Sequence, residues 1–392
     1  MKSNSAVTEK KKKEKKQKTY QQYIFNKVIV IIILIVVLLA ITIFAIHAGS
    51  SGISVWDVIK TIFGAGTKQT NSIVFGIRLP RVVTALIAGM ALGMVGCVMQ
   101  SVLRNPLADA STLGVSQGAA FGATVAIICF GAGAQNTASA ANAVNISNPY
   151  LVTLCAFIGG AISTLIILGL SRFKKISPQS MILAGVALSA LFSGGTTLIQ
   201  YFADDVEVAA VVFWTFGDLG RTNWIEILII ACVSIAACIY FMFNRWNYNA
   251  FESGGQTAKS LGVNVNVVTY VGMAVCSLVA SVVVAFVGII SFVGLLAPHI
   301  MRRFIGNDYR FLLPTSALTG AVLLLTADTF GRLIVAPIIL PIGAITSFLG
   351  APLFLYLLFD LFFYLHNLLY LEKHFYQYLE LILYCYLLNH IL

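Results

Sequence analysis

The sequence has little charge, and that shortage limits the classes of protein that it can encode. Only 10% of its 392 residues are Asp, Glu, Lys or Arg, whereas 59% are hydrophobic. A mean hydropathy of +0.90 excludes an ordinary soluble domain. Long apolar runs separated by short polar segments indicate a polytopic membrane protein with an all-α fold.

Motifs for catalysis and for metal binding are also missing. No G-x-x-x-x-G-K-[ST] phosphate loop occurs, and the most similar segment, residues 64–68, lacks both the spacing and the final Ser or Thr. There is no H-E-x-x-H, no C-x-x-C pair and no clustered histidine. We therefore expect no enzyme activity, no cofactor and no metal site, and any ATP hydrolysis must come from a separate protein.

The excess of positive charge is concentrated before the first apolar run. Nine of the lysines lie between Lys2 and Lys27, which favours a cytoplasmic N-terminal arm beside membrane lipid over a nucleic-acid partner. A cleavable signal peptide is the alternative for residues 28–46. That run is longer than the usual 7–15-residue core of a signal peptide, so we expect a membrane span.

Ten apolar runs predict about ten transmembrane helices. They lie near residues 28–46, 82–101, 113–130, 150–170, 180–202, 225–243, 267–287, 290–305, 312–331 and 341–359. The predicted domains are a basic arm (1–27), a membrane domain (28–359) and a tail (360–392). With the N-terminus inside, 18 basic residues fall on the cytoplasmic side and 6 outside, or 9 against 6 without the arm. Orientation thus depends mainly on the arm.

The stretch 78–122 organises the chain. Arg78 and Arg81 flank a proline, and the following helix carries Gly89, Gly93 and Gly96 at the spacing of small residues that lets membrane helices approach closely. The polar turn Arg104-Asn105-Pro106 ends this helix, because a proline disfavours helical geometry in the residue before it.

Six blocks of sequence carry a resemblance to a known family. They are the stretch at 78–122, P-Q-S-M-I-L-A-G-V-A-L-S-A-L at 178–191, W-T-F-G-D-L at 214–219, A-K-S-L-G-V at 258–263, G-I-I-S-F-V-G-L-L-A-P-H-I-M-R-R at 288–303, and L-P-I-G-A-I-T-S-F-L-G-A-P-L-F-L at 340–355. Over roughly residues 25–358 the chain resembles the membrane subunit of FecCD-type ATP-binding-cassette (ABC) importers, which move iron-siderophore complexes, haem or cobalamin.

The resemblance implies partners and roles for particular residues. In such importers two membrane subunits, either two copies or a related pair, form the path, two ATPase subunits bind the cytoplasmic loops, and an external binding protein delivers the substrate. Arg78, Arg81 and Arg332 would dock the binding protein. Residues 252–263, with Ala258, Lys259, Leu261 and Gly262, would contact the ATPase. Gln100, Gln117, Thr196 and Thr197 could line the path.

Each of these roles has a plainer alternative. Arginines at helix ends can reach the membrane interface by themselves, residues 252–263 could be a solvated loop, and buried amides and hydroxyls often bond one helix to another. An ion-coupled secondary transporter and an intramembrane enzyme are the rival functions. The former is disfavoured because Asp328 is the only acid predicted well inside a span. The sequence does not separate siderophore, haem and cobalamin.

The tail has a composition of its own. Residues 361–392 contain no Gly, Ala, Val, Pro, Ser or Thr, but eleven leucines and six tyrosines. Members of the resembled family usually stop soon after the last helix, so this segment is either a frame-altered end or an extension that lies at the membrane interface.

Overall fold

The computed structural model describes residues 2–48, 55–62, 64–132, 148–174, 177–336, 338–357 and 359, and they form helices joined by turns and short loops. No strand occurs within these ranges. The helices are α1 (Lys2–His47), α2 (Val55–Ile62), α3 (Lys68–Ile73), α4 (Leu79–Val102), α5 (Val115–Thr124), α6 (Pro149–Lys174), α7 (Pro178–Tyr201), α8 (Asp205–Thr215), α9 (Trp224–Phe243), α10 (Arg245–Glu252), α11 (Gly255–Ser260), α12 (Val265–Val287), α13 (Val293–Ile305), α14 (Tyr309–Leu333) and α15 (Ile342–Leu357).

The all-α fold with about ten membrane helices is confirmed. Seven helical segments of the described chain are long and apolar enough to cross a membrane, and two shorter apolar helices cover Val115–Cys129 and Ile342–Leu357. The eighth predicted run, 290–305, contains α13, which has 13 residues and Pro298 inside it. At 1.5 Å per residue α13 reaches only about 20 Å, so it is too short to cross a 30 Å bilayer alone.

Helix α4 lies at the centre of the compact unit formed by residues 1–347. It packs against α9, α12, α13 and α14. A Cβ atom added to Gly89 would lie 2.5 Å from the Gly320 carbonyl oxygen, and one added to Gly96 would overlap the Gly294 carbonyl. The small-residue spacing therefore brings the backbones of three helices together, as the sequence predicts.

Two ends of this unit are distinguished by their polar side chains. At the Arg302 end, defined by Gln100, Glu252 and Arg302, α4 finishes and α14 begins. At the Asp328 end, defined by Arg81, Asp218 and Asp328, α4 begins and α14 finishes. The basic side chain Lys27 of α1 lies over the Phe311 ring at the Arg302 end, so α1 runs from that end to the other.

One predicted domain, the tail of residues 360–392, lies outside the described residues. The last helix of the described residues, α15, begins in the first compact unit, and the second unit starts at Phe348.

The close approach of α4 to α13 predicts that Gly96→Val prevents correct packing, because the new side chain would overlap the Gly294 backbone. Gly169→Ala is the matched control, since a Cβ there meets nothing within 4 Å. We expect the yield of monodisperse protein after detergent extraction to fall sharply for Gly96→Val and to stay at the wild-type level for Gly169→Ala. Equal yields and melting temperatures for both variants would contradict this account of α4.

Candidate functional site

The segment predicted to contact an ATPase, residues 252–263, lies at the Arg302 end and comprises the last residue of α10, the whole of α11 and the turns beside it. Helix α10 ends at Glu252, and Gly254 then adopts a φ of +94°, which lets the chain turn directly into α11. After α11 the chain turns again at Gly262, with a φ of +84°. Asn264 caps α12 by accepting a hydrogen bond from the Val267 amide at 3.2 Å. We call residues 245–262, which contain the helical pair α10 and α11, the docking segment after the predicted contact with an ATPase; the contact itself stays a prediction.

The four residues predicted for the ATPase contact do not share one face. Lys259, Leu261 and Gly262 are exposed, and 67% of the Leu261 surface is accessible. Ala258 is fully buried and belongs to the hydrophobic core of the unit, so it fixes α11 to the bundle and does not face outward. A partner would therefore meet the apolar side chain of Leu261 beside the amine of Lys259.

A chain of polar side chains connects the docking segment to α4. The Tyr309 hydroxyl donates to Glu252 Oε1 at 3.2 Å and accepts from Arg302 Nη2 at 3.4 Å. Arg302 also donates to the Gln100 side-chain oxygen, and Gln100 in turn donates to the Leu295 carbonyl at 3.3 Å. We call these four residues, Glu252, Tyr309, Arg302 and Gln100, the polar relay.

A second set of bonds fixes α10 to the start of α14. Asn249 accepts from the Tyr309 amide at 2.8 Å and donates to Asp308 Oδ1 at 3.3 Å. Arg310 binds the other Asp308 oxygen at 2.6 Å, and hydrogen bonds from Arg310 and Asn249 lower the pKa of Asp308 despite the opposing effect of burial. The docking segment is thereby attached to α4, α13 and α14 at once.

The sequence predicts Gln100 as a candidate residue, but it does not predict the polar relay. Arg302 and Gln100 are separated by 202 positions, so no local spacing could pair them. A usable signal was the presence of Arg302 on an otherwise apolar segment, because a cation there requires a partner.

At the Asp328 end a buried carboxylate is shared by two arginines. Asp328 is 2% exposed and accepts from Arg81 Nε at 2.8 Å and from Arg332 Nε at 3.0 Å. Arg81 also lies 3.3 Å from the half-exposed carboxylate of Asp218. The spacing of Asp328 and Arg332, four residues apart on a helix, is the local signal that predicts part of this cluster.

Two arginines at this end bind the last turn of α1. Arg78 Nη1 donates to the carbonyls of Ile46 and His47 at 2.8 and 2.9 Å. Arg332 donates to the Ala48 and Ala45 carbonyls at 2.9 and 3.2 Å. Cations here satisfy carbonyls that a helix end leaves free. Contacts within the chain thus explain the positions of Arg78, Arg81 and Arg332. Their docking of a binding protein stays a prediction.

A half-buried arginine, Arg221, holds the segment after α8. Arg221 donates from Nε to the Phe286 carbonyl at 2.7 Å and lies over the Trp214 ring. Burial lowers the pKa of Arg221 to about 10, so the guanidinium is still charged at neutral pH. This contact attaches the loop that carries Asp218 to the end of α12.

The residues predicted to line a path lie on three different helices. Gln100 on α4 is buried in the polar relay, and Gln117 on α5 is half-buried. On α7, Thr197 is exposed and donates to the Ser193 carbonyl at 3.0 Å, while the buried Thr196 hydroxyl has no hydrogen-bond partner among the described residues. Only Thr196 and Thr197 lie together, on a helix whose surface is mostly uncovered.

Comparisons with known proteins give a consistent result. The model of the FecCD transport family matches residues 31–360. An uncharacterised ABC transporter permease protein, MJ0087 of Methanocaldococcus jannaschii, is 55% identical over 321 residues, which cover 82% of this chain and 91% of the relative. The hemin transport system permease protein HmuU of Yersinia pestis is 35% identical over 327 residues, covering 82% and 93%.

A further relative and a solved structure are also similar to this chain. The vitamin B12 import system permease protein BtuC of Vibrio vulnificus is 32% identical over 306 residues, covering 78% of this chain and 88% of the relative. A solved inward-facing structure of a metal-chelate type ABC transporter has a TM-score of 0.71 and 27% identity, covering 85% of this chain and 99% of that one.

The cluster around Asp328 predicts that Arg81→Met destabilises the protein, because it removes one of two cations that neutralise a buried carboxylate. Such a loss costs about 3–5 kcal/mol. We expect a lower melting temperature for Arg81→Met in detergent, whereas Asp218→Asn, which alters only the half-exposed pair, should change stability by less than about 1 kcal/mol. Equal changes in melting temperature for the two substitutions would show that the buried Asp328 carboxylate does not need Arg81 to neutralise it.

Proposed function

The chain belongs to the FecCD transport family, and from that premise we propose that it imports an iron-siderophore or a related iron chelate. Family membership makes it a permease subunit of an ABC importer, a transport component and not an enzyme. Importers of this kind work with ATPase subunits, a substrate-binding protein and a second membrane subunit. In our proposal the second subunit is another copy of this chain or a related permease.

The observation that carries the proposal is the attachment of the docking segment to the transmembrane helices. A subunit that lacks a phosphate loop must be driven by a separate ATPase, and the energy of ATP hydrolysis must reach it through a contact on its surface. Here the exposed Leu261 lies on a segment that Asn249 and Glu252 bond to α14, and the polar relay continues to α4. Movement of the segment would therefore move the helices with it.

We place the Arg302 end on the cytoplasmic side. Lys27, Arg104, Arg172, Lys259, Arg302, Arg303 and Arg310 all belong to this end, and the lysine-rich arm precedes it. Cytoplasmic segments of membrane proteins carry such an excess of Lys and Arg. The N-terminus would then be cytoplasmic, in a protein of the cell membrane.

The binding protein would meet the opposite face, at the Asp328 end. We propose that Arg78, Arg81 and Arg332 contribute to this contact, as the resemblance implies. Each guanidinium is bonded within the chain, so pairing with a carboxylate of the partner would extend the existing cluster around Asp218 and Asp328.

Helix α7 is our candidate for the wall of the path. Its exposed side chains include Thr197 and Leu198, and a Cβ on Gly194 would meet nothing within 4 Å. A second membrane subunit facing this surface would enclose a space between the two, lined in part by Thr196 and Thr197. Gln100 is less suited to that role, because its amide is occupied by Arg302 and Leu295.

The rival hypothesis of ion-coupled transport has little support. Such carriers keep ionisable groups near the bilayer midplane for the coupling ion. Among the described residues two carboxylates are buried, Asp109 and Asp328. Asp109 accepts from the Ala110 amide at 2.6 Å and caps a short helical turn, and Asp328 is bound to two arginines.

The first prediction from this proposal concerns Leu261. Leu261→Asp places a charge in a contact that the ATPase would desolvate, which should weaken the complex by about 3 kcal/mol, or roughly a hundredfold in Kd. Leu261→Met, which keeps the volume and the apolar character, is the control. The measurement is titration of the cognate ATPase onto permease in nanodiscs. Unchanged affinity for Leu261→Asp would remove the docking segment from the interface.

The second prediction concerns substrate and energy source. Vesicles that contain the permease and its ATPase, supplied with the binding protein, should take up radioactive iron as a ferric siderophore only when ATP is present. A protonophore should leave uptake unchanged, since no ion gradient drives it. Uptake of labelled haem or cobalamin by the same vesicles, with no uptake of the labelled ferric siderophore, would show that the chelate is wrong while leaving the ABC mechanism intact.

A further inference from the structure

A cavity of about 630 Å³ lies at the Arg302 end, next to the docking segment. Its walls come from two separate parts of the chain: Arg104, just after α4, and residues 255–266, which include Gln256, Lys259 and Asn264. Both ionisable residues in the wall, Arg104 and Lys259, are cations, and no carboxylate lines the cavity. Its charge is therefore suited to an anionic group.

Arg104 occupies this position at a conformational cost. Its φ is +47°, in the left-handed region that residues other than Gly and Asn rarely adopt. The turn itself is fixed by backbone bonds, from the Arg104 amide to Ser101 and from the Asn105 amide to Gln100, both at 3.1 Å. A glycine would make the same turn with less strain, so the arginine side chain has a use that the turn does not explain.

The Arg104 guanidinium is held but not neutralised. It lies 5.4 Å from the centre of the Phe251 ring, and it packs so closely on Gly255 that a Cβ there would overlap it. In the described parts of the chain, no hydrogen bond or ion pair reaches this guanidinium. Phe251 and Gly255 thus orient a planar cation toward the cavity and leave its donors available.

We propose that this cavity receives a carboxylate side chain of the partner ATPase, bound by Arg104 and Lys259. A guanidinium suits this ligand, because its parallel N–H groups bond both oxygens of a carboxylate. The inference rests on the proposed function, since it assumes that an ATPase covers the docking segment. Leu261 would supply the apolar part of the contact and this pair of cations the charged part.

The pairing has a mechanical consequence. Arg104 follows the last turn of α4 directly, so a carboxylate bound there would connect the ATPase to the central helix without passing through α10 or the polar relay. The ATPase would then hold α4 and the docking segment together, as one body.

The test uses Arg104→Gly, because that substitution removes the cation and also relieves the left-handed strain. We expect the melting temperature of the isolated permease to be equal or higher, while the Kd for the cognate ATPase rises at least about tenfold and its dependence on salt becomes weaker. Lys259→Gln should give a smaller change in the same direction. Arg172→Gln, which removes an exposed cation of the same end outside the cavity, should bind like wild type.

Charge reversal identifies the partner group. The Arg104→Glu permease should lose binding to the wild-type ATPase. Changing one particular Asp or Glu of the ATPase to Lys should restore that binding, and the same change at its other acidic residues should not. Three outcomes would overturn the inference. The Arg104→Gly variant could bind the ATPase with the Kd and salt dependence of the wild type, or its melting temperature could fall enough to account for the lost binding. The third outcome is a loss of ATPase binding that appears only in nanodiscs of anionic lipid, which would assign the cavity to a lipid headgroup. Loss of binding by Leu261→Asp with none by Arg104→Gly would reject this inference and keep the proposed function.

Discussion

The close approach of α4 to its neighbours is the constraint on which the rest of the structure depends. Lipid is as apolar as a helix surface, so burial of apolar side chains does not drive membrane helices together, and the backbones must come near enough for dispersion contacts and hydrogen bonds. Gly89, Gly93 and Gly96 remove the side chains that would keep α13 and α14 away. Only at this distance can Gln100 on α4 reach both the Leu295 carbonyl and Arg302.

The same packing explains why the charged groups lie where they do. A charge inside a bundle is tolerated when a partner is held beside it. At the Asp328 end, the contact between α4 and α14 brings Arg81 to Asp328, although 247 positions separate them. At the Arg302 end, the contact between α4 and α13 brings Arg302 to Gln100. Each polar cluster is therefore a product of the helix contacts, and each in turn fixes the register of those contacts.

Much of the fold followed from the sequence, because hydropathy and small-residue spacing are local properties. Each predicted apolar run contains a helix, and the glycines of α4 are at the predicted interface. The sites were less predictable. The i, i+4 pair of Asp328 and Arg332 can be seen in the sequence, but the partners of Arg81 and Arg302 cannot. The resemblance implied that Ala258 is a contact residue, but Ala258 is buried, and its burial depends on how α11 packs on the bundle.

The position of α4 also explains how one helix can serve both ends of a transporter. Arg81 lies in its first turn and Arg104 just after its last, so the two guanidinium groups are attached to a rod about 35 Å long. An α-helix resists bending, and a helix whose backbone contacts its neighbours closely on two sides cannot deform locally. A displacement imposed near Arg104 must therefore reach the cluster of Arg81, Asp218 and Asp328 as a movement of the whole helix. The ion pair of Arg81 with the half-exposed Asp218 is the contact there that water can most easily replace. It is consequently the point at which the Asp328 end would first respond to an event at the other side of the membrane.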